Sequence, residues 1–86
     1  MGHTDTPYML IDTAFGRLLK EQRSNSRFTQ ADLALRAGIA VSFISRMERG
    51  RACPTIDTLF RIANAFEVAP EDLVKRLRQI TDETAE

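Results

Sequence analysis

Apolar residues recur at helical spacing through five stretches of this chain, each bounded by capping or breaking residues. The first helix is predicted to start at Asp12 as N-cap, to turn Phe15, Leu18 and Leu19 inward, and to break at Ser24-Asn25-Ser26. The second starts at Thr29, where Thr29-Gln30-Ala31-Asp32 is a shortened capping box with Asp in place of the usual Glu or Gln. Leu33, Ala34 and Ala37 form its inward stripe, and Gly38 suits the residue after its end. The third spans about residues 41–49, with Ile44 and Met47 inward and Gly50 closing it. Thr55, behind Pro54, caps a fourth whose stripe is Ile56, Leu59, Ile62, Ala63 and Phe66. Pro70 opens the fifth, Glu71 and Asp72 suit its positive end, and Leu73, Val74, Leu77 and Ile80 are its apolar positions. With no competing strand pattern or repeat, the expected fold is all-α: a compact five-helix body over residues 12–80. Residues 1–11 read as an arm, flexible or docked through Tyr8, Met9, Leu10 and Ile11. Residues 81–86 read as a frayed acidic tail.

Composition narrows the class. At 86 residues there is room for one domain, whose core must be economical or shared with a partner. A single Cys53 excludes an internal disulfide framework and a multi-cysteine zinc site, and a single His3 argues against histidine catalysis. No apolar run approaches a membrane span, so the expected setting is a reducing, cytoplasmic one with no metal or cofactor. The net charge of zero hides an uneven distribution. Residues 13–51 carry eight basic against three acidic groups, a local +5, and seven of the eight are Arg. Phosphates respond to the local patch, because the Debye length is about 8 Å at physiological salt. Charge alone leaves an ordinary solvated surface equally open.

The stretch from Thr29 to Gly50 carries the function. A capped helix ends at Ala37, Gly38-Ile39-Ala40 makes a tight turn, and a second short helix follows. Ala34 lets the helices approach, and Ile39 and Ile44 fix the angle. Here the sequence resembles the lambda-repressor/Cro-like helix-turn-helix family, the XRE family, over about residues 13–78. The residues that carry the resemblance are Thr29-Gln30-Ala31-Asp32-Leu33-Ala34, Gly38-Ile39, Ile44-Ser45-Arg46-Met47-Glu48-Arg49-Gly50 and Pro54-Thr55-Ile56-Asp57-Thr58-Leu59. Arg61-Ile62-Ala63-Asn64-Ala65-Phe66-Glu67-Val68 and Pro70-Glu71-Asp72-Leu73 extend it. Two positions depart from the family pattern. Ala40 stands where Ser or Thr is common, and Phe66-Glu67-Val68 lacks the Gly usual at that turn.

The resemblance implies base contacts in the major groove at Val41, Ser42, Ser45 and Arg46. Val41 suits a thymine methyl and Arg46 the guanine O6/N7 edge, with a phosphate as the alternative partner of Arg46. Gln30 matches the family's backbone-clamping glutamine, and Arg27, Arg49, Arg51 and Thr55 flank the groove as phosphate contacts. Arg23 and Glu48 match an ion pair between the first and third helices. Phe43 is either packing or an exposed wedge, and Cys53 is most simply a small apolar residue. One recognition helix covers few base pairs, so a homodimer on an inverted repeat is expected. Its interface is placed at Val74, Leu77, Ile80 and Phe66, with residues 8–11; the alternative is that these residues complete the monomer core. The expected function is a DNA-binding transcriptional regulator that is not an enzyme. Since the chain ends soon after the fifth helix, control would pass through concentration, autoregulation or a protein partner such as a toxin or polymerase subunit. The rival is an interaction module that kept the fold without binding DNA, which the neutral total charge favours and the basic block disfavours.

Overall fold

The computed structural model describes residues 10–85. Five helices follow in order: α1 (Ile11–Ser26), α2 (Gln30–Ala37), α3 (Val41–Glu48), α4 (Ile56–Phe66) and α5 (Pro70–Ala85). No strand occurs among the described residues, and no helix among them is long and apolar enough to cross a membrane. α1 packs against α3 and α5, while α2 packs against α3 and α4. Leu18 and Leu19 of α1, Leu33, Ile44, Met47, Ile62 and Ile80 are the largest fully buried side chains, so every helix contributes to one core.

Four of the five helix starts follow the sequence and one departs from it. Thr29 caps α2 through a complete capping box: its Oγ1 accepts from the Asp32 N–H at 3.0 Å, and Asp32 Oδ2 accepts from the Thr29 N–H at 2.9 Å. Those bonds hold the Asp32 carboxyl below its usual range. Thr55 caps α4 by accepting from the Thr58 N–H. α1, however, starts one residue before the expected Asp12 cap. Leu10 occupies the cap position in extended conformation without a side-chain bond, and Asp12 lies within the first turn. There its charge still favours the positive helix end.

The helix ends share a device that the glycines foretold at Gly38 and Gly50 but that no glycine marks at Arg27 and Glu67. Arg27, Gly38, Gly50 and Glu67 all sit at left-handed φ near +59 to +74°. The next residue reaches back in each case: Phe28 N–H to Arg23 O, Ile39 N–H to Ala34 O, Arg51 N–H to Arg46 O and Val68 N–H to Ala63 O, all at 2.9–3.1 Å. These are Schellman closures. Phe28, Ile39 and Val68 then pack against the core. α1 therefore runs on through Ser24-Asn25-Ser26 and ends at Arg27, whose left-handed backbone costs roughly 1 kcal/mol or more for a residue with a Cβ. Glu67 carries the same strain where the family pattern supplies Gly.

Two expectations about the C-terminal part are corrected. α5 does not end at residue 80 but continues to Ala85. Glu83, on this extra turn, bonds Arg17 of α1 at 2.9 Å and Arg76 at 3.3 Å. Arg76 also grips Glu21 of α1 with two bonds of 2.7 and 2.8 Å. Those pairs anchor the helix where apolar periodicity has run out. The proposed interface also changes. Ile80 is fully buried in the monomer core. Phe66 is buried and stacks on Phe28 with ring centroids 5.7 Å apart. Leu77 packs half-buried against the core, and only Val74 projects outward, half exposed. The docking arm expected over residues 1–11 lies outside the described residues for positions 1–9. Of its remainder, Leu10 is exposed and Ile11 opens α1.

Gly16 marks the closest helix approach. A Cβ there would stand 2.5 Å from the Met47 carbonyl oxygen and 2.9 Å from that of Glu48, so α1 rests directly on the end of α3. Ala raises helix propensity by up to ~1 kcal/mol, but a backbone clash of this size outweighs it. Gly16→Ala is expected to lower stability by about 1–2 kcal/mol, read as a fall in melting temperature of roughly 5–15 °C.

Candidate nucleic-acid interface

α2, the turn at 38–40 and α3 form a helix-turn-helix unit pinned from behind by one carboxylate. Glu48, at the end of α3, is 6% exposed. Its Oε1 accepts from Arg23 Nη2 of α1 and from Gln30 Nε2 of α2, both at 3.0 Å, while Oε2 accepts from Arg23 Nε. Arg23 also donates to the Phe28 carbonyl at 2.8 Å, tying down the α1–α2 connection. Burial pushes the Glu48 carboxyl up, but the hydrogen bonds from Arg23 and Gln30 outweigh burial and hold it below the ordinary range. The ion pair expected between the first and third helices is thus present, with Gln30 as a third member.

α3 divides cleanly by side. Ile44, Met47 and Glu48 are buried. Val41 (47% exposed), Ser42 and Arg46 face solvent, with Ser45 half-buried between them. Phe43 packs against the core edge, and the Arg46 guanidinium lies 6.0 Å from its ring centroid. This resolves Phe43 as packing and leaves the Arg46 head outward. Ala40 precedes the helix without a side-chain cap, as its residue type dictates. From residue 33 to 56 the only acidic residue is Glu48, which is buried and paired, against Arg36, Arg46, Arg49 and Arg51. α3 and the loop after it therefore present a positive outer side within a chain of zero net charge.

The Gln30 amide faces a carboxylate, so its nitrogen points inward; one of its two hydrogens is engaged and one remains. The N–H groups of Gln30 and Ala31 lie in the first turn of α2, where helix geometry supplies no partner. Arg27 is exposed on the left-handed turn, and Arg49 and Arg51 are exposed beyond α3. Arg49 Nη1 donates to Ser45 Oγ, linking a flanking residue to the reading face. The Thr55 hydroxyl is used within the protein: it accepts from the Thr58 N–H and donates to Thr58 Oγ1. An anion at α4 would therefore meet the free N–H groups of that helix end. Arg36 stacks 4.4 Å above Phe28, and Arg61 pairs with Asp57. Sequence reading passed over Arg17 and Lys20 of α1, which line a cleft with Arg49 and Arg51. They belong to the basic block, but no motif indicates which way they face. Cys53 borders an apolar cleft, where burial and then the Asp12 carboxylate push its thiol up, away from the reactive thiolate.

The helix-turn-helix family profile matches residues 19–73 of this chain. The chain belongs to the XRE-type helix-turn-helix family. It is 36% identical over 75 residues to the HTH-type transcriptional regulator y4dJ of Sinorhizobium fredii, covering 87% of each chain. It is 35% identical over 68 residues to RstR, a cryptic phage CTXphi transcriptional repressor of Vibrio cholerae, covering 79% of this chain. The chain spans 59% of RstR and 52% of the Deinococcus deserti regulator DdrOP3. Among solved structures, the restriction-modification controller protein C.Esp1396I, a tetramer in complex with its natural 35 base-pair operator, superposes with a TM-score of 0.77 at 25% identity. That match covers 85% of this chain and 96% of the controller. The clp gene regulator ClgR of Corynebacterium glutamicum gives a TM-score of 0.85 at 23% identity over 92% of this chain and 84% of ClgR, a likeness of fold.

The family's helix-turn-helix thus rests here on a buried charge, whose loss is measurable. Glu48→Gln is expected to destabilise by about 2–3 kcal/mol, somewhat less than a fully buried pair because Arg23 reaches solvent. A carboxyl held below its usual range stabilises the fold above the unfolded-state value, and that stabilisation is lost as pH falls through the folded value. The gap between wild type and Glu48→Gln in urea melts should therefore be full at neutral pH and close in acid, below the ordinary glutamate range. A gap independent of pH would contradict this role for the charge.

Proposed function

We propose that this chain is a cytoplasmic, sequence-specific double-stranded DNA-binding transcriptional regulator that acts as a homodimer on an inverted repeat. The observation that carries the reading is the outer side of α3. It offers Val41, Ser42, Ser45 and Arg46 on a helix whose inner side is locked by Ile44, Met47 and Glu48. Around it, every charged residue from 33 to 56 is an Arg except the buried Glu48. In this reading Arg46 forks onto a guanine edge, Val41 meets a thymine methyl, and Ser42 and Ser45 add hydroxyl contacts. Gln30, Arg27, Arg49 and Arg51 hold phosphates and set register. Glu48 gives Gln30 its orientation before DNA arrives, so little side-chain freedom is lost on binding. The operator complex of C.Esp1396I and the regulator names of the sequence relatives support the assignment.

The dimer is reassigned to the apolar side that the monomer leaves open. Ile56 is 71% exposed, Phe60 55% and Val74 50%. Ile11, Leu59, Leu73 and Leu77 line the apolar cleft beside them. Two-fold pairing through α4 and α5 would cover this surface and set two copies of α3 about one helical turn, ~34 Å, apart.

Selection of bound duplexes from a random library is expected to return a two-fold symmetric site. Against that site, Arg46→Ala should cost about 1–3 kcal/mol and relax specificity at one position, while Gln30→Ala should weaken selected and random duplexes alike. Equal losses on both duplexes for Arg46→Ala would remove its base-reading role. Recovery of no sequence, with retention insensitive to salt, would point to the interaction-module reading instead. Val74→Asp is expected to shift sedimentation from dimer to monomer at micromolar concentration. A wild type that stays monomeric with and without DNA would refute the dimer.

A further inference from the structure

α1 carries a basic face that the helix-turn-helix does not account for. Thr13, Arg17 and Lys20 line a cleft whose other wall is Glu48, Arg49, Gly50 and Arg51, the end of α3 and the loop after it. Glu48 is neutralised from behind by Arg23, which leaves four cations around the opening. The cleft is continuous with the reading face, because Arg49 lines it and also bonds Ser45. Arg17 alone among the four is held by an acid. Glu83, on the last turn of α5, bonds it at 2.9 Å, and both side chains are about half exposed. Glu83 is shared with Arg76, which is itself fixed by Glu21.

We infer that the Arg17–Lys20 face of α1 is a second DNA-backbone contact, outside the helix-turn-helix, and that Glu83 competes with phosphate for Arg17. The inference rests on the DNA-binding reading above and extends it to α1 and α5. A duplex lying along α3 would pass its phosphates from Arg49 and Arg51 to Lys20, whose ammonium feels the charge of Glu48 across the cleft but makes no close ion pair among the described residues. An exposed pair such as Arg17–Glu83 is weak and screened by salt. A phosphate carrying a full charge can therefore displace Glu83, which retains its bond to Arg76. The last turn of α5 thus sets how many cations the protein offers to DNA.

The test is the salt dependence of affinity for a mixed-sequence duplex, read by fluorescence anisotropy on the whole chain. Each phosphate contact contributes a slope of about −0.9 in log affinity against log salt. Lys20→Ala is expected to flatten the slope by about one contact and weaken binding several-fold on mixed and selected duplexes alike. Glu83→Gln is expected to tighten binding and steepen the slope, and to do neither in an Arg17→Ala background. Melting curves check that the exposed substitutions leave the fold intact. If Lys20→Ala leaves slope and affinity unchanged while Arg46→Ala still weakens the selected duplex, the α1 contact is refuted and the recognition helix stands. If the Glu83→Gln gain persists without Arg17, the competition is refuted. If the wild type retains no duplex at any salt, this inference falls together with the reading beneath it.

Discussion

One buried carboxylate fixes the orientation of everything that faces outward. Glu48 gathers Arg23 from α1 and Gln30 from α2 onto the end of α3. An ionised carboxylate is stable in such surroundings only when its oxygens are filled with donors, and here three donors converge on two oxygens. The three helices that must keep a common frame for recognition therefore meet at a single charge. Because Arg23 also takes the Phe28 carbonyl, the same side chain sets where α2 begins. A buried pair of this kind often adds little net stability compared with a well-packed apolar replacement. What it does supply is geometry: an apolar pair in place of Arg23 and Glu48 would pack, but would not aim the Gln30 amide.

The short connections rely on a second constraint. Four helices end in the left-handed conformation, two of them on residues with a Cβ. The strain at Arg27 and Glu67 is offset by the backbone bond each closure makes and by the burial of Phe28 and Val68 against the core. Phe28 has a further role, since it stacks on Phe66 below and carries Arg36 above. Arg36 keeps its charge on the exposed side of that stack, held in place by the ring beneath it.

Charge is partitioned by the same economy. A chain with no net charge presents a positive side because its acids are used elsewhere: Glu48 in the interior, Asp32 at a helix cap, Glu21 and Glu83 in the clasp between α1 and α5. Hydrogen bonding from Arg76, opposed by some burial, keeps the Glu21 carboxyl below its usual range. The clasp holds the two longest helices together where their apolar stripes end. It also brings an acid from α5 beside a cation of the positive side.

The sequence by itself determined the five helices, the caps at Thr29 and Thr55, the buried stripes and the outward set on α3. These depend on residues three or four apart, whose relation is fixed once a helix forms. The family pattern also determined the partnership of Arg23 and Glu48. Only the tertiary structure decided that Gln30 joins that pair, that Ile80 and Phe66 fill the monomer core, and that α5 continues to Ala85. Periodicity says which side of a helix is apolar but not which neighbour covers it, so a core residue and an interface residue look alike until the helices are docked. The end of α5 shows the converse. Thr81-Asp82-Glu83 has no apolar signal to hold it, and its helix is anchored by an ion pair with Arg17, 66 residues away in the chain. No local rule reaches that far.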